Sequence, residues 1–371
     1  HQESGTQRNI DPKQKAKWRT NNHKYFTQTW GEKLKAEFWK EKLTSKLFLS
    51  EQPMSVSMLV TETRIGSTVG DLFTGRGLGD ALEKLGWNVD YLARRPDYEW
   101  KNISSKTDAV VSFRHDHDIR ELKSRPGLIK IAWVRSYVDE WARAPWMSEY
   151  DVVLTTSEYA RMVLQPHLKE GVTTGIVPLA VDPEEFKPHK KKKDYSCDVT
   201  FVGNIFHIPR QITSSLDLSN GLDFSFYGKL ETPEKDHPFE RYHKGTINHE
   251  ELPALYSSAK VVLDDSTPMV APWGCLNSRI YEAMACGTPV ITNNVHGLDE
   301  AFGDAILYYD TPQELGKILK GLLKDTKKRR ALGRKARKCI LEHHTYDQRA
   351  TIVAEVLAGH FENQDESEQS N

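Results

Sequence analysis

Cysteine is scarce in this chain. Four residues, Cys197, Cys275, Cys286 and Cys339, are scattered through 371 positions. No pair has the two-residue spacing of a zinc site, and there is no dense pattern of a secreted disulfide scaffold, so a reducing cytoplasm is the expected location. An excess of charge of either sign is also lacking. Lys and Arg number 51 against 52 Asp and Glu, a formal net charge of −1, which argues against nucleic acid as a partner. Long apolar runs are missing too: no stretch approaches the roughly 18 residues that span a bilayer. The opening, HQESGT, lacks the apolar core of a signal peptide, and it has no Met, as in a fragment cut from a longer protein.

What is present suffices for two cores. Apolar residues make up 38%, with nine Trp and 13 Phe, and the length fits two α/β domains plus an extension. Residues 1–50 form that extension. Between positions 11 and 49 it carries ten Lys/Arg against four Asp/Glu, interleaved with Trp18, Tyr25, Phe26, Trp30, Phe38 and Trp39. It reads as helical and irregular. One reading is an arm that docks a partner or meets a membrane surface at the inner face of the membrane; the other is that its aromatics pack on the next domain while the lysines stay in water.

From residue 57 the pattern becomes strand, Gly-containing turn, helix, strand: an apolar run at 57–61, the loop 66–70, a helix over 71–85 closed by Gly86, and a strand over 88–92. Further short β-branched runs lie at 108–113, 128–133, 151–155 and 175–177, as expected of parallel strands buried on both faces. Pro178, Pro183, Pro188 and the lysines at 190–193 then interrupt all periodicity. The alternation restarts with strands at 197–202, 224–227, 261–263 and 289–292, and ends in helices to about residue 358. The expected fold is α/β, with two Rossmann-like parallel-sheet domains facing a cleft. The boundaries are 51–183 for the first, acceptor-side domain and 184–345 for the second, donor-side domain. A C-terminal helix over 346–371 returns to the first domain and ends in a polar tail.

The most informative segment is 273–292, WGCLNSRIYEAMACGTPVIT. It reads as a loop, a short helix capped by Gly287 and a buried strand. The helix start at Asn277 and Ser278 offers free N–H groups and a positive dipole end to a diphosphate. Arg279 and Glu282 stand three apart and share one helix face, a cation for phosphate beside a carboxylate for ribose hydroxyls. An ordinary amphipathic helix with a surface ion pair would show the same pair.

The segment resembles the donor-binding signature of the group-1 and CgeB-like glycosyltransferases, which have the GT-B fold. The resemblance extends to FVG at 201–203, to KGTINHEELPALYSSA at 244–259 and to VPLAVDPEEF at 177–186. It covers about residues 150–345 well and the first domain in outline. It implies a nucleotide-diphosphate sugar as donor, bound by Glu282 at the ribose and by Arg210 and Lys229 at the diphosphate. The backbone near Asn248 would face the base, with Gly203, Asn204, Asn277, Ser278 and Arg279 alongside. It implies neither a cofactor nor a metal, because a helix dipole and basic residues neutralise the leaving diphosphate. The chain departs from the family at Gly274, where retaining members usually carry a Glu.

In the first domain, Arg114, His115, Asp116, His117 and Asp118 follow a strand end, where α/β ligands bind. His115, His117 or Asp116 is the expected general base, and a solvated polar turn is the alternative. Gly70, Arg76, Arg135 and Ser136 are further cleft candidates. The expected function is transfer of a sugar from a nucleotide sugar to a glycan or lipid-linked acceptor, as in cell-surface polysaccharide or glycoconjugate synthesis. Two alternatives share the fold: a nucleotide-sugar epimerase and a catalytically silent binding domain of a larger assembly.

Overall fold

The computed structural model describes residues 53–369 apart from 65, 68, 95–98, 125 and 232–235. The basic aromatic extension therefore lies outside the described residues, and its two readings stay as expectations. Residues 52–353 form one compact unit.

The first sheet has six parallel strands: β1 (Ser55–Val60), β2 (Asn88–Ala93), β3 (Ala109–Ser112), β4 (Ile129–Val134), β5 (Val152–Thr155) and β6 (Thr173–Ile176), in the order β2-β1-β3-β4-β5-β6. The central strands are buried on both faces, which accounts for their unbroken apolar runs in sequence. The second sheet has five: β7 (Val199–Val202), β8 (Phe224–Tyr227), β9 (Val261–Leu263), β10 (Val290–Asn293) and β11 (Leu307–Tyr309), in the order β11-β10-β9-β7-β8. Two parallel sheets were expected, but β11 falls where sequence pattern indicated only helices. It is three residues long and only half-buried over its first two, so neither alternation nor a sustained apolar run marks it.

Both sheets reverse strand order once, between β1 and β3 and between β7 and β9. Such switch points leave a crevice at the carboxyl ends of the strands, and they place ligand sites before any side chain is considered. The helices that matter are α1 (Gly70–Lys84), α2 (Leu252–Ser258), α3 (Ser278–Ala285), α4 (Pro312–Lys324), α5 (Thr326–His343) and α6 (Tyr346–Gln369). Each half has its own core, around Trp141, Tyr150 and Val110 in the first and around Phe201, Phe226 and Phe239 in the second.

The chain passes between the halves at two places, and they are bonded together. Val181 donates its N–H to the carbonyl of His344 (3.2 Å), and Tyr346 returns one to the carbonyl of Val181 (3.2 Å). Buried Arg349 ties the same junction, donating to the carbonyls of Pro178 (2.9 Å), Leu179 (3.3 Å) and His343 (3.0 Å). The start of α6 then meets α1: Lys84 pairs with Asp347 at 2.8 Å, and the ring of Tyr346 occupies the space a side chain at Gly77 would need. No helix among the described residues is long and apolar enough to cross a membrane.

Candidate donor and acceptor cavities

Two cavities lie at the strand ends of the two switch points, and they meet at Gly70, Thr74 and Ser278, which line both. The first, about 250 Å³, is walled by the β7 and β8 ends, the start of α3, α1 and the linker at 180–186.

Its floor depends on close backbone approach. Gly203 follows β7 and Gly228 follows β8, and a Cβ on Gly228 would collide with the carbonyl of Gly203. At Gly203 a Cβ would lie 2.5 Å from a guanidinium nitrogen of Arg279. Only glycine at both positions allows the two strand ends and Arg279 to share this space.

Glu282 lines this cavity on α3, is 8% exposed, and accepts a hydrogen bond from the buried Tyr256 hydroxyl (3.1 Å) through Oε2. Arg279, one turn earlier, is held by an ion pair with the fully buried Asp264, and its guanidinium lies 4.7 Å from the centre of the Phe201 ring. The pair expected on one helix face is thus present, and its cation is anchored by Asp264 and not by Glu282. Asn277 precedes α3, but its side chain turns away from the helix N–H groups to donate to both Asp264 oxygens (3.1 Å each). The N-terminus of α3 has no side-chain cap, so its first N–H groups, beside Ser278, remain open for a ligand.

Asn204 and Lys229 also line the cavity; the Asn204 amide oxygen accepts from the N–H of Lys229 at 2.9 Å. Arg210 does not line it. Its guanidinium donates to the carbonyls of Asn204 (2.8 Å) and Asp265 (2.8 Å), so it holds the Asn204 turn from behind. Asn248 is likewise absent from the wall, while its neighbours Ile247 and His249 are on it.

Sequence reasoning did not single out the aromatic side of this cavity. Phe73 of α1 stacks on His249 with ring centres 3.9 Å apart, and Phe186 meets His249 edge-on. Burial pulls the pKa of His249 down. The hydrogen bond that His249 donates to Glu185 and the charge of Glu282 more than offset this and leave it raised. The contacts join residues more than 60 positions apart, beyond the reach of any local spacing.

The second cavity, about 560 Å³, lies under the loops after β3 and β4. The three expected base candidates separate here. His115 lines the cavity, its ring 5.5 Å from that of Tyr137, and burial lowers its pKa, which keeps it neutral and able to accept a proton. Asp116 is locked between Arg114 (2.8 Å) and Arg94. Burial alone would raise its pKa, but these hydrogen bonds and charges hold it far below the carboxylate range, so it is a poor base. His117 points into the core, fully buried, on Ser112 Oγ (3.1 Å) and stacked on Trp100; burial depresses its pKa to about 3. Neither Asp116 nor His117 lines the cavity.

Arg135 and Ser136 line it together with Gly70. Arg76, exposed on α1, lines neither cavity. Gly75, Gly77 and Gly79, on the same helix, are packing positions under Phe113, Tyr346 and Tyr91. Tyr137, with φ of +54°, is one of two described non-glycine residues in a left-handed conformation, at the rim of the cavity. Gly274 is left-handed as well (φ +64°), and a Cβ there would sit 2.9 Å from the carbonyl oxygen of His296. The backbone therefore leaves no ordinary place for the carboxylate that retaining relatives carry. Among the described residues no cluster of His, Cys, Asp and Glu could hold a metal ion.

Residues 208–355 match a family described as glycosyl transferase-like. No curated protein matches the chain. Among solved structures, sucrose-phosphate synthase from Thermosynechococcus elongatus is similar at 16% identity, covering 80% of this chain and 96% of that one with a TM-score of 0.58. Anabaena HepE in complex with UDP and glucose is similar at 14% identity, with coverage of 82% and 99% and a TM-score of 0.60. T4 phage BGT in complex with its UDP-glucose substrate is similar at 14% identity, with coverage of 84% and 99% and a TM-score of 0.55. The chain thus has the two-sheet GT-B fold, shared with these structures along most of its length, and the glycosyl transferase-like match falls on the half that carries Arg279 and Glu282.

Proposed function

We propose that the protein transfers a sugar from a nucleotide-diphosphate sugar in the first cavity to a glycan or lipid-linked acceptor in the second. The observation that carries this reading is the seam at Gly70, Thr74 and Ser278, the three residues that wall both cavities. The donor diphosphate lies over the uncapped start of α3 with Arg279 and Lys229 beside it, and Glu282 receives the ribose hydroxyls. The sugar carbon then faces the seam, and His115 takes the proton of the attacking acceptor hydroxyl. The neighbours solved with UDP-glucose or with UDP and glucose support a nucleotide-sugar donor.

The test is a panel of nucleotide sugars, incubated with and without acceptor sugars and followed by release of nucleoside diphosphate. Acceptor-dependent release with one donor is the expected result. Isomerisation of the donor sugar without release would establish an epimerase, and binding without turnover a silent domain.

A further inference from the structure

We infer that the second cavity receives an acceptor bearing an oxyanion, a carboxylate or a phosphate, and that Arg135 is the cation it meets; this rests on the transferase reading above. Arg135 follows β4 at the carboxyl edge of the first sheet and lines the cavity. A guanidinium has five N–H donors in a rigid fork. Here one of them makes a long contact, 3.4 Å, to the carbonyl of Phe113, while Nε is buried without a partner. The charged plane otherwise rests on aromatic rings, 5.0 Å from the centre of Phe113 and 5.9 Å from that of Trp133.

The same chain shows how a structural buried arginine is satisfied. Arg349 spends its donors on three carbonyls and on the ring nitrogen of His344. Arg135 has no comparable set, and among the described residues it makes no ion pair. Arg94 and Arg114 share Asp116, and Asp71, the carboxylate on the cavity wall, commits one oxygen to the N–H (3.0 Å) and hydroxyl (2.6 Å) of Thr61. The other oxygen of Asp71 is buried without a hydrogen bond, and its charge acts on Arg135, yet among the described residues the Arg135 fork bonds to neither carboxylate. A half-buried cation whose Nε is shut off from water without a partner is costly unless an anion completes it, and the planar fork matches a carboxylate or phosphate in two-point contact. His115 stands on the same cavity wall, so an acceptor pinned by its anion offers a nearby hydroxyl for proton removal.

The experiment is calorimetric titration of the protein, first saturated with the nucleoside diphosphate it binds best, with methyl glucuronide, glucose 6-phosphate and neutral methyl glucoside. At least one charged sugar is expected to bind about tenfold or more tighter than the neutral one, and the advantage should shrink as salt rises. Glucuronide and phosphate separate the two anion sources. Arg135→Met should abolish the advantage, Arg135→Lys should keep part of it, and nucleoside diphosphate affinity should stay as in the wild type. Equal binding of charged and neutral sugars, or no binding of either charged sugar, would overturn the inference. So would a loss of nucleoside diphosphate affinity in Arg135→Met, which would place the cation on the donor. If Arg135→Met does not fold, the wild-type contrast and its salt dependence decide alone. Failure of nucleoside diphosphate to bind the wild type would instead count against the transferase reading, and the charged sugars would then be titrated on the free protein.

Discussion

Replacing Glu282 with alanine is the most direct perturbation of the cavity proposed to hold the donor. One carboxylate oxygen, Oε2, already accepts from Tyr256 at 3.1 Å, which leaves Oε1 as the principal acceptor for a ribose hydroxyl. A hydrogen bond to an ionised acceptor contributes about 1.5–3 kcal/mol, so Glu282→Ala should weaken nucleoside diphosphate binding by roughly tenfold to 150-fold. The same change strands the fully enclosed Tyr256 hydroxyl, at a cost of about 1–3 kcal/mol of stability. Glu282→Gln separates the two effects, because its amide oxygen can still satisfy Tyr256 while the NH2 group is the wrong partner for a donating hydroxyl. Glutamine should therefore melt near the wild-type temperature yet bind less tightly than wild type. Calorimetry with nucleoside, nucleoside diphosphate and nucleotide sugar, paired with thermal melts, reads both quantities. Unchanged affinity in a correctly folded Glu282→Ala protein would refute the donor assignment.

Three further outcomes are expected. His115→Ala should lower turnover by about 10²–10⁴-fold with donor affinity unchanged, as for loss of a general base, whereas His117→Ala should lower the melting temperature because that ring fills the core. Steady-state kinetics with donor titration and melts distinguishes them. Gly274→Glu should not create a retaining enzyme and should cost about 1–3 kcal/mol, since it forces a left-handed backbone and a Cβ beside the His296 carbonyl; urea unfolding and product anomer analysis check both parts. Burial raises the Asp265 pKa to about 7, against the pull of Arg210. The native state thus binds the extra proton between about pH 4 and 7, and stability falls as pH rises through that window. Asp265→Asn should flatten this fall, so its stability relative to wild type should be greater at pH 8 than at pH 4 in urea titrations.

Much of the fold was legible because parallel strands buried on both faces are written as short apolar runs. The Arg279 and Glu282 pair was legible because helical spacing puts residues three apart on one face. The base candidates were not separable. His115, Asp116 and His117 occupy one turn after β3, and no period relates neighbours in a turn to the directions they take. Sequence gave His117 and His115 equal standing, yet one fills the core and the other lines a cavity. The family resemblance implied a diphosphate contact for Arg210, while in the fold its donors go to backbone carbonyls. The Asp264 anchor of Arg279 and the Phe73 stack on His249 depend on contacts between distant strands and helices, which only the assembled sheets create.

The paired crossing at Val181 and His344 has a mechanical consequence. Both covalent passages between the halves run through one bonded spot, with Arg349 gripping three carbonyls there. Turning about that spot leaves these bonds in place, as a door turns on a pin, whereas sliding one half past the other would break them. Reach at the far side of the cleft is set by the lever from this pin. Small rotations there become larger openings away from the pin, and they have to break the Phe73–His249 and Tyr159–His296 stacks and the hydrogen bond from the Ser157 hydroxyl to the Trp273 carbonyl.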